Sequence, residues 1–168
     1  GPKGGDEINV IQKGKNFGWP VISYGVNYSG TKFTDITAKK GMEQPLFYWV
    51  PSIAPSGIDF ITSDKYPEWK GNLLVGSLKF EYLERLVLEY DKVTKREKLF
   101  EGIGRVRDVK QGPDGYIYVA VENKGIEISV DALVINTKNF QWKTNANIAW
   151  NRNKILSLGG DLKEQFAS

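Results

Sequence analysis

From Gly57 onward the chain keeps a beat that few folds accommodate. Short β-branched and aromatic runs, Gly57–Ile61, Asn72–Leu78, Arg85–Asp91 and Lys95–Glu101, alternate with turn residues at Ser63-Asp64, Glu68-Trp69-Lys70-Gly71 and Lys92. The pattern begins again with Val106–Gln111, the turn Gly112-Pro113-Asp114-Gly115, and Tyr116–Val121. Four short antiparallel strands that restart after about 45 residues predict an all-β chain built on β-propeller blades. A β-sandwich is the runner-up. Composition agrees, with 18 Gly, 7 Pro, 5 Trp and 8 Tyr distributed between turns and short runs. No cysteine is present, so disulfides and thiolate metal sites are excluded. The formal charge of +3 comes from 23 basic and 20 acidic residues interspersed along the chain, which argues against nucleic acid as a partner. No apolar run is long enough for a membrane-spanning helix.

One cluster in this frame invites chemistry. In a strand, residues two apart share a face, so Arg105 and Arg107 project side by side. Two guanidiniums placed this way repel unless something anionic sits between them. Gly102 and Gly104 leave backbone room for a close ligand, and Lys79, after the apolar run Asn72–Leu78, offers a third cation. The spacing fits a pocket for a polyanion; it also fits three ordinary surface cations.

The N-terminal stretch is Gly- and Pro-rich, with a strand expected at Glu7–Gln12 and a turn at Asn16–Pro20. Carbonyls of Gly1 and Pro2, with Asp6 and Glu7, could supply oxygens to a hard cation such as Ca²⁺, although adjacent acids in a loop are more often simply solvated. Residues 21–47 read as a surface connection. Pro45, Pro51 and Pro55, around an aromatic cluster, predict an ordered loop rather than a central strand or helix. Such loops commonly carry sites. The opening at Gly1, within what reads as a loop and without methionine, predicts a fragment.

Four motifs in order, GPKGGDEINVIQKGKNFGWP, WVPSIAPSG, GNLLVGSLK and GRVRDVKQGPDGYIYVAVEN, span about residues 1–124. Together they resemble the C-terminal half of the soluble pyrroloquinoline quinone (PQQ)-dependent aldose sugar dehydrogenases, the glucose/sorbosone dehydrogenase family. The resemblance implies a six-bladed propeller, of which this chain would hold about two and a half blades. It implies that Gly1 and Pro2 offer carbonyls to a Ca²⁺ gripping the quinone, with Asp6 beside that site. Glu7 and the carbonyl of Phe17 would bind a second Ca²⁺. Ser52, Lys79, Arg105 and Arg107 would contact the cofactor. The implied reaction is oxidation of an aldose at C1 to the lactone, in the periplasm or outside the cell. The family's general base is a histidine from the N-terminal half, and this chain contains no histidine. The expectation is therefore a half-site, inactive alone, whose natural complement is the missing N-terminal half.

The tail departs from that pattern. From Phe140 to Asn151 residues alternate, with Phe140, Trp142, Thr144, Ala146, Ile148 and Trp150 on one face and mostly polar residues on the other. This is the pattern of an outer-membrane barrel strand, or of a long hairpin on a soluble sheet. Residues 124–168 resemble a barrel segment of TonB-dependent outer-membrane transporters of the starch-utilisation type, through Lys124–Ser129, Phe140–Trp142 and Asn151–Leu158. The boundaries read 1–123 for the partial propeller and 124–168 for a β-hairpin tail, joined near Asn123-Lys124 as two unrelated fragments. Strands are expected at Ile126–Ile135 and Phe140–Asn151, turning through Asn136–Asn139 and completing the blade poorly. A non-catalytic propeller binding module and a transporter fragment at the outer membrane are the alternative functions.

Overall fold

The computed structural model describes the backbone of residues 3–136 and 141–158, and the side chains of 3–122 and 153–158. Nine strands carry the fold, with one 3₁₀ turn at Pro67–Trp69 and no α-helix among the described residues. β1 (Asp6–Ile8) pairs with β2 (Phe47–Trp49), Asp6 opposite Trp49. The strand expected at Glu7–Gln12 is thus shorter and starts one residue earlier. Its length is set by its partner: Pro45 and Pro51, which have no N–H to give a ladder, flank β2 and leave it three residues. The proline-rich stretch is therefore not wholly loop. Its aromatic centre pairs.

β3 (Pro55–Phe60), β4 (Leu73–Ser77), β5 (Leu83–Glu89) and β6 (Lys92–Leu99) form the expected four-stranded antiparallel sheet in chain order. Pro55 opens β3, where its missing donor does no harm. The runs expected at Arg85–Asp91 and Lys95–Glu101 are shifted toward the N-terminus. Glu89 pairs with Lys92, leaving Tyr90 and Asp91 as a two-residue hairpin loop with both φ values positive, 49° and 57°. Two positive φ angles are what a tight primed turn requires, so Asp91 belongs to the turn.

β7 (Arg105–Gln111), β8 (Ile117–Asn136) and β9 (Gln141–Ser157) make a second, three-stranded antiparallel sheet. The strands expected at 126–135 and 140–151 fall within β8 and β9; Phe140 and the turn beyond Asn136 lie outside the described residues, as do the side chains of Trp142 and Trp150. β8 crosses Asn123-Lys124 as one strand, with a β-bulge between Asn123 and Ile126. The end of β9 returns to the hairpin, Tyr118 opposite Ser157 and Glu122 opposite Asn153. Leu156 and Leu158 are buried with Ile117, Val119 and Val121 because their alternation matches the inward face of β8.

The two sheets share one core, in which Ile61, Leu74, Leu83 and Leu99 meet Val106, Val109 and the β8–β9 residues just named. On the other face of the four-stranded sheet a second core joins Leu73, Val75, Tyr82 and Leu86 to Trp49 and Ile53. β4 is consequently buried along its whole length. β3 and β7 run side by side in the same direction: Ser56 Oγ donates to the Val106 carbonyl (2.6 Å), and the Gln111 amide donates to Asp59 (2.8 Å). A Cβ at Gly57 would lie 2.1 Å from Asp108 Oδ1 and 2.5 Å from its Cα, so this approach needs glycine.

Candidate functional site

The loop before β3, the end of β4 and the start of β7 meet at one end of the two sheets. Ser52 is buried, and its hydroxyl accepts the Ala54 amide at 3.0 Å. The Ile53 carbonyl accepts both Ser77 Oγ (2.9 Å) and the Lys79 amide (3.2 Å), and the Ala54 carbonyl accepts the Leu78 amide. Ser52 and Lys79 are thereby fixed as neighbours in backbone terms. The Lys79 ammonium lies 5.0 Å from the Phe80 ring centroid, a cation–π contact. Gly76 lets β4 close on this region, because a Cβ there would sit 2.5 Å from Ser56 Oγ and 2.6 Å from Val106 Cγ1. Ser56, through its bond to the carbonyl of Val106, ties this corner to the residue between the two arginines.

Arg105 and Arg107 do come together, but not by simple alternation. The register is Val106 opposite Val121 and then Asp108 opposite Ala120, so Arg107 is the extra residue of a β-bulge. Both guanidiniums reach the same oxygen of Glu122. Arg107 Nε donates to Oε2, Arg107 Nη2 forms an ion pair with the same oxygen, and Arg105 Nη1 lies 3.8 Å from it. The anion that two adjacent guanidiniums require is thus supplied by the chain itself. The side chains of Arg105 and Arg107 remain 42% and 47% exposed. With Glu122 counted, the pair keeps one positive charge in excess, and Lys79 adds another. A groove of about 410 Å³ adjoins Arg107 and Glu122, lined also by Asn153, Lys154 and Ile155 among others; Arg105 and Lys79 do not line it.

At the N-terminal end Gly1 and Pro2 lie outside the described residues. Asp6 is buried opposite Trp49. Glu7 accepts a hydrogen bond from Asn9 Nδ2 (3.3 Å), while Asn9 Oδ1 is buried and accepts none. Tyr24 stacks on Tyr48 at 3.8 Å and donates to Gln44. Burial first, then the neighbouring Tyr48 and Glu7, push the Tyr24 phenol above its ordinary pKa. Phe17 lines a separate groove of about 340 Å³ with Val10, Glu43 and Leu46; Glu7 does not line it. No cluster of three or more His, Cys, Asp or Glu side chains exists among the described residues, so a cation here would depend on carbonyl oxygens.

Sequence reasoning missed Glu122, Ser56 and Glu84. Glu84 has no solvent exposure and accepts Trp49 Nε1 (2.9 Å), Arg96 Nε (2.5 Å) and the Tyr82 hydroxyl (3.4 Å). It locks β2 to the four-stranded sheet. A charged pair, Glu84-Arg85, within the apolar run Leu83 to Leu88 was the available signal.

A family profile described as Glucose / Sorbosone dehydrogenase matches residues 1–130. The chain is 46% identical over 131 residues to the aldose sugar dehydrogenase YliI of Escherichia coli, which covers 76% of this chain and 35% of that protein. Quinoprotein glucose dehydrogenase B of Acinetobacter calcoaceticus is 27% identical over an alignment of 194 positions, covering 82% of this chain and 40% of that one. A crystal structure of a glucose dehydrogenase superposes with a TM-score of 0.68 at 44% identity, over 71% of this chain and 36% of that one. A shorter likeness, 49% over 48 residues, is to the TonB-dependent receptor SusC of Bacteroides thetaiotaomicron; it covers 28% of this chain and 5% of the receptor. The chain spans about a third of the length of YliI and of the solved dehydrogenase. With the profile covering most of its residues, the chain belongs to the glucose/sorbosone dehydrogenase family.

Proposed function

We propose that residues 1–123 supply the C-terminal part of a PQQ- and calcium-dependent aldose dehydrogenase site, and that the reaction is oxidation of the sugar at C1 to the lactone. The observation that carries this reading is the pairing of Arg105 and Arg107 at the start of β7, with Ser56 bonded to the Val106 carbonyl between them and the Lys79 amide bonded to the loop that follows Ser52. PQQ carries three carboxylates beside its ortho-quinone, and exposed guanidiniums with a net positive charge suit such a group. The kinship with a protein named as a quinoprotein glucose dehydrogenase supports the same cofactor class. Bound there, the quinone would accept the two electrons that leave the sugar as hydride.

The chain's own residues bind and orient. Arg105 and Arg107 hold carboxylates, Lys79 adds a mobile positive charge, and the Ser52 hydroxyl contributes a fixed polar contact. For calcium, Asn9 Oδ1 is a buried acceptor with no donor beside the Glu7 carboxylate, an environment a hard cation would satisfy. In this reading Glu7 and the Phe17 carbonyl serve the second cation, and Gly1, Pro2 and Asp6 the one beside the quinone. Side-by-side first strands of successive sheets suit a six-bladed propeller, of which about two and a half blades are present here. Residues 124–168 are of barrel-segment ancestry, and the dehydrogenase portion works in the periplasm or outside the cell. The N-terminal half is the partner, because general-base assistance needs a residue this chain does not have.

The test is calorimetric PQQ binding with Ca²⁺ present, followed by dye reduction with an aldose. The 168-residue chain should bind PQQ weakly and give no turnover, and adding the N-terminal half of a relative should restore it. Robust turnover by the chain alone would show the base to be here after all.

A further inference from the structure

Both guanidiniums of the candidate site converge on Glu122. Arg107 meets it side-on, through Nε and Nη2. A guanidinium is a rigid fork with five N–H donors, so a side-on contact leaves the edge that carries Nη1 unspent. The Arg107 side chain is about half exposed, Glu122 only 25%, and the groove of about 410 Å³ runs beside the pair. A long, otherwise mobile side chain is thereby held by one edge while it lines the groove. The bulge at Arg107 is what makes this possible, since it sets Glu122 directly opposite Arg105.

We propose that Glu122 is a positioning residue: it holds Arg107, and through the shared oxygen steadies Arg105, so that the free guanidinium edge meets a ligand carboxylate. The proposal rests on the quinone-site reading above. It differs in sign from a plain counter-ion role. A counter-ion weakens anion binding, so removing it tightens the complex. A positioning residue lowers the ordering cost of binding, so removing it loosens the complex although the site becomes more cationic.

The experiment compares the wild-type chain with Glu122→Ala, Glu122→Gln, Glu122→Asp and the double variant Arg107→Lys/Glu122→Ala. PQQ binding is followed by calorimetry at low and raised salt, urea midpoints report folding, and the arginine Nε–H signals are recorded by NMR without ligand. Glu122→Ala should bind PQQ up to about tenfold more weakly, the cost of ordering one long side chain on binding. Glu122→Asp should recover part of that loss, and Glu122→Ala should add nothing once Arg107 is lysine. The Arg107 Nε–H should exchange slowly in the wild type and rapidly in Glu122→Ala. Equal or tighter PQQ binding by Glu122→Ala would overturn the proposal. Absence of PQQ binding by the wild type would sink the quinone reading instead. In that event an Arg107 Nε–H exchanging as in free arginine overturns the positioning role, and a protected one upholds it.

Discussion

Arg96→Ala takes away the charge that faces a carboxylate with no solvent exposure. Glu84 Oε1 receives Arg96 Nε at 2.5 Å, while Oε2 receives Trp49 Nε1 at 2.9 Å and the Tyr82 hydroxyl at 3.4 Å. Without Arg96 the carboxylate stays buried with only neutral donors. Breaking a buried pair this way costs roughly 3–5 kcal/mol. The Arg96 side chain is 45% exposed, which puts the expected loss near the lower end, about 3 kcal/mol. Glu84→Gln is the asymmetric counterpart. It removes the charge but keeps an oxygen for Trp49, and the half-exposed guanidinium turns to water, so the loss is about 1 kcal/mol. The double variant Arg96→Ala/Glu84→Gln should then be more stable than Arg96→Ala alone, with a coupling of about 2 kcal/mol. Urea unfolding at neutral pH, followed by tryptophan fluorescence, reads all three. If Arg96→Ala loses no more stability than Glu84→Gln, the buried carboxylate does not depend on Arg96 and the reasoning fails.

The remaining expectations use the same assay or the binding assay. Burial, with the Glu84 charge second, pushes the Tyr82 phenol from 10.0 up to about 12. The folded chain therefore keeps a proton that the unfolded chain releases, so stability is intact below about pH 10 and falls as pH rises toward 12, and Tyr82→Phe should flatten that decline. Gly57→Ala forces a Cβ into Asp108 and should lower stability by about 3 kcal/mol; a change under about 0.5 kcal/mol would show that β3 and β7 part easily. Leu156→Ala with Leu158→Ala should lose about 4 kcal/mol or more, and a neutral result would show that β9 is not part of the shared core. Arg107→Ala should weaken PQQ binding about tenfold while the urea midpoint moves little, since the guanidinium it removes is about half exposed.

How much of this was legible follows from which rules act locally. The four-stranded sheet was, because each strand pairs with its sequence neighbour and the short β-prone runs stand apart along the chain. Its edges were misplaced where the turn is made by Tyr90 and Asp91, residues that carry no turn signature strong enough to outweigh the run around them. Glu122 shows the limit more sharply. Counting back from the Gly112–Gly115 turn, with Gln111 opposite Ile117, an unbroken hairpin sets Val121 against Arg107 and Asn123 against Arg105. Glu122 would then face neither arginine. One extra residue at Arg107 shifts the register and puts the carboxylate opposite Arg105, and nothing in Arg-Val-Arg-Asp announces a bulge there. Ser56 was hidden for a related reason: its partner is a backbone carbonyl fifty residues away, and main-chain acceptors carry no sequence mark. The tail is the opposite case. Asn151–Leu158 was read through its likeness to a barrel segment, and a sheet asks only that apolar residues recur every second position on the buried face. Leu156 and Leu158 meet that condition beside Val119 and Val121, so they join the same core. Likeness to a family is carried by motifs and packing by period, so β8 runs through Asn123-Lys124 as one strand although the dehydrogenase motifs end near there.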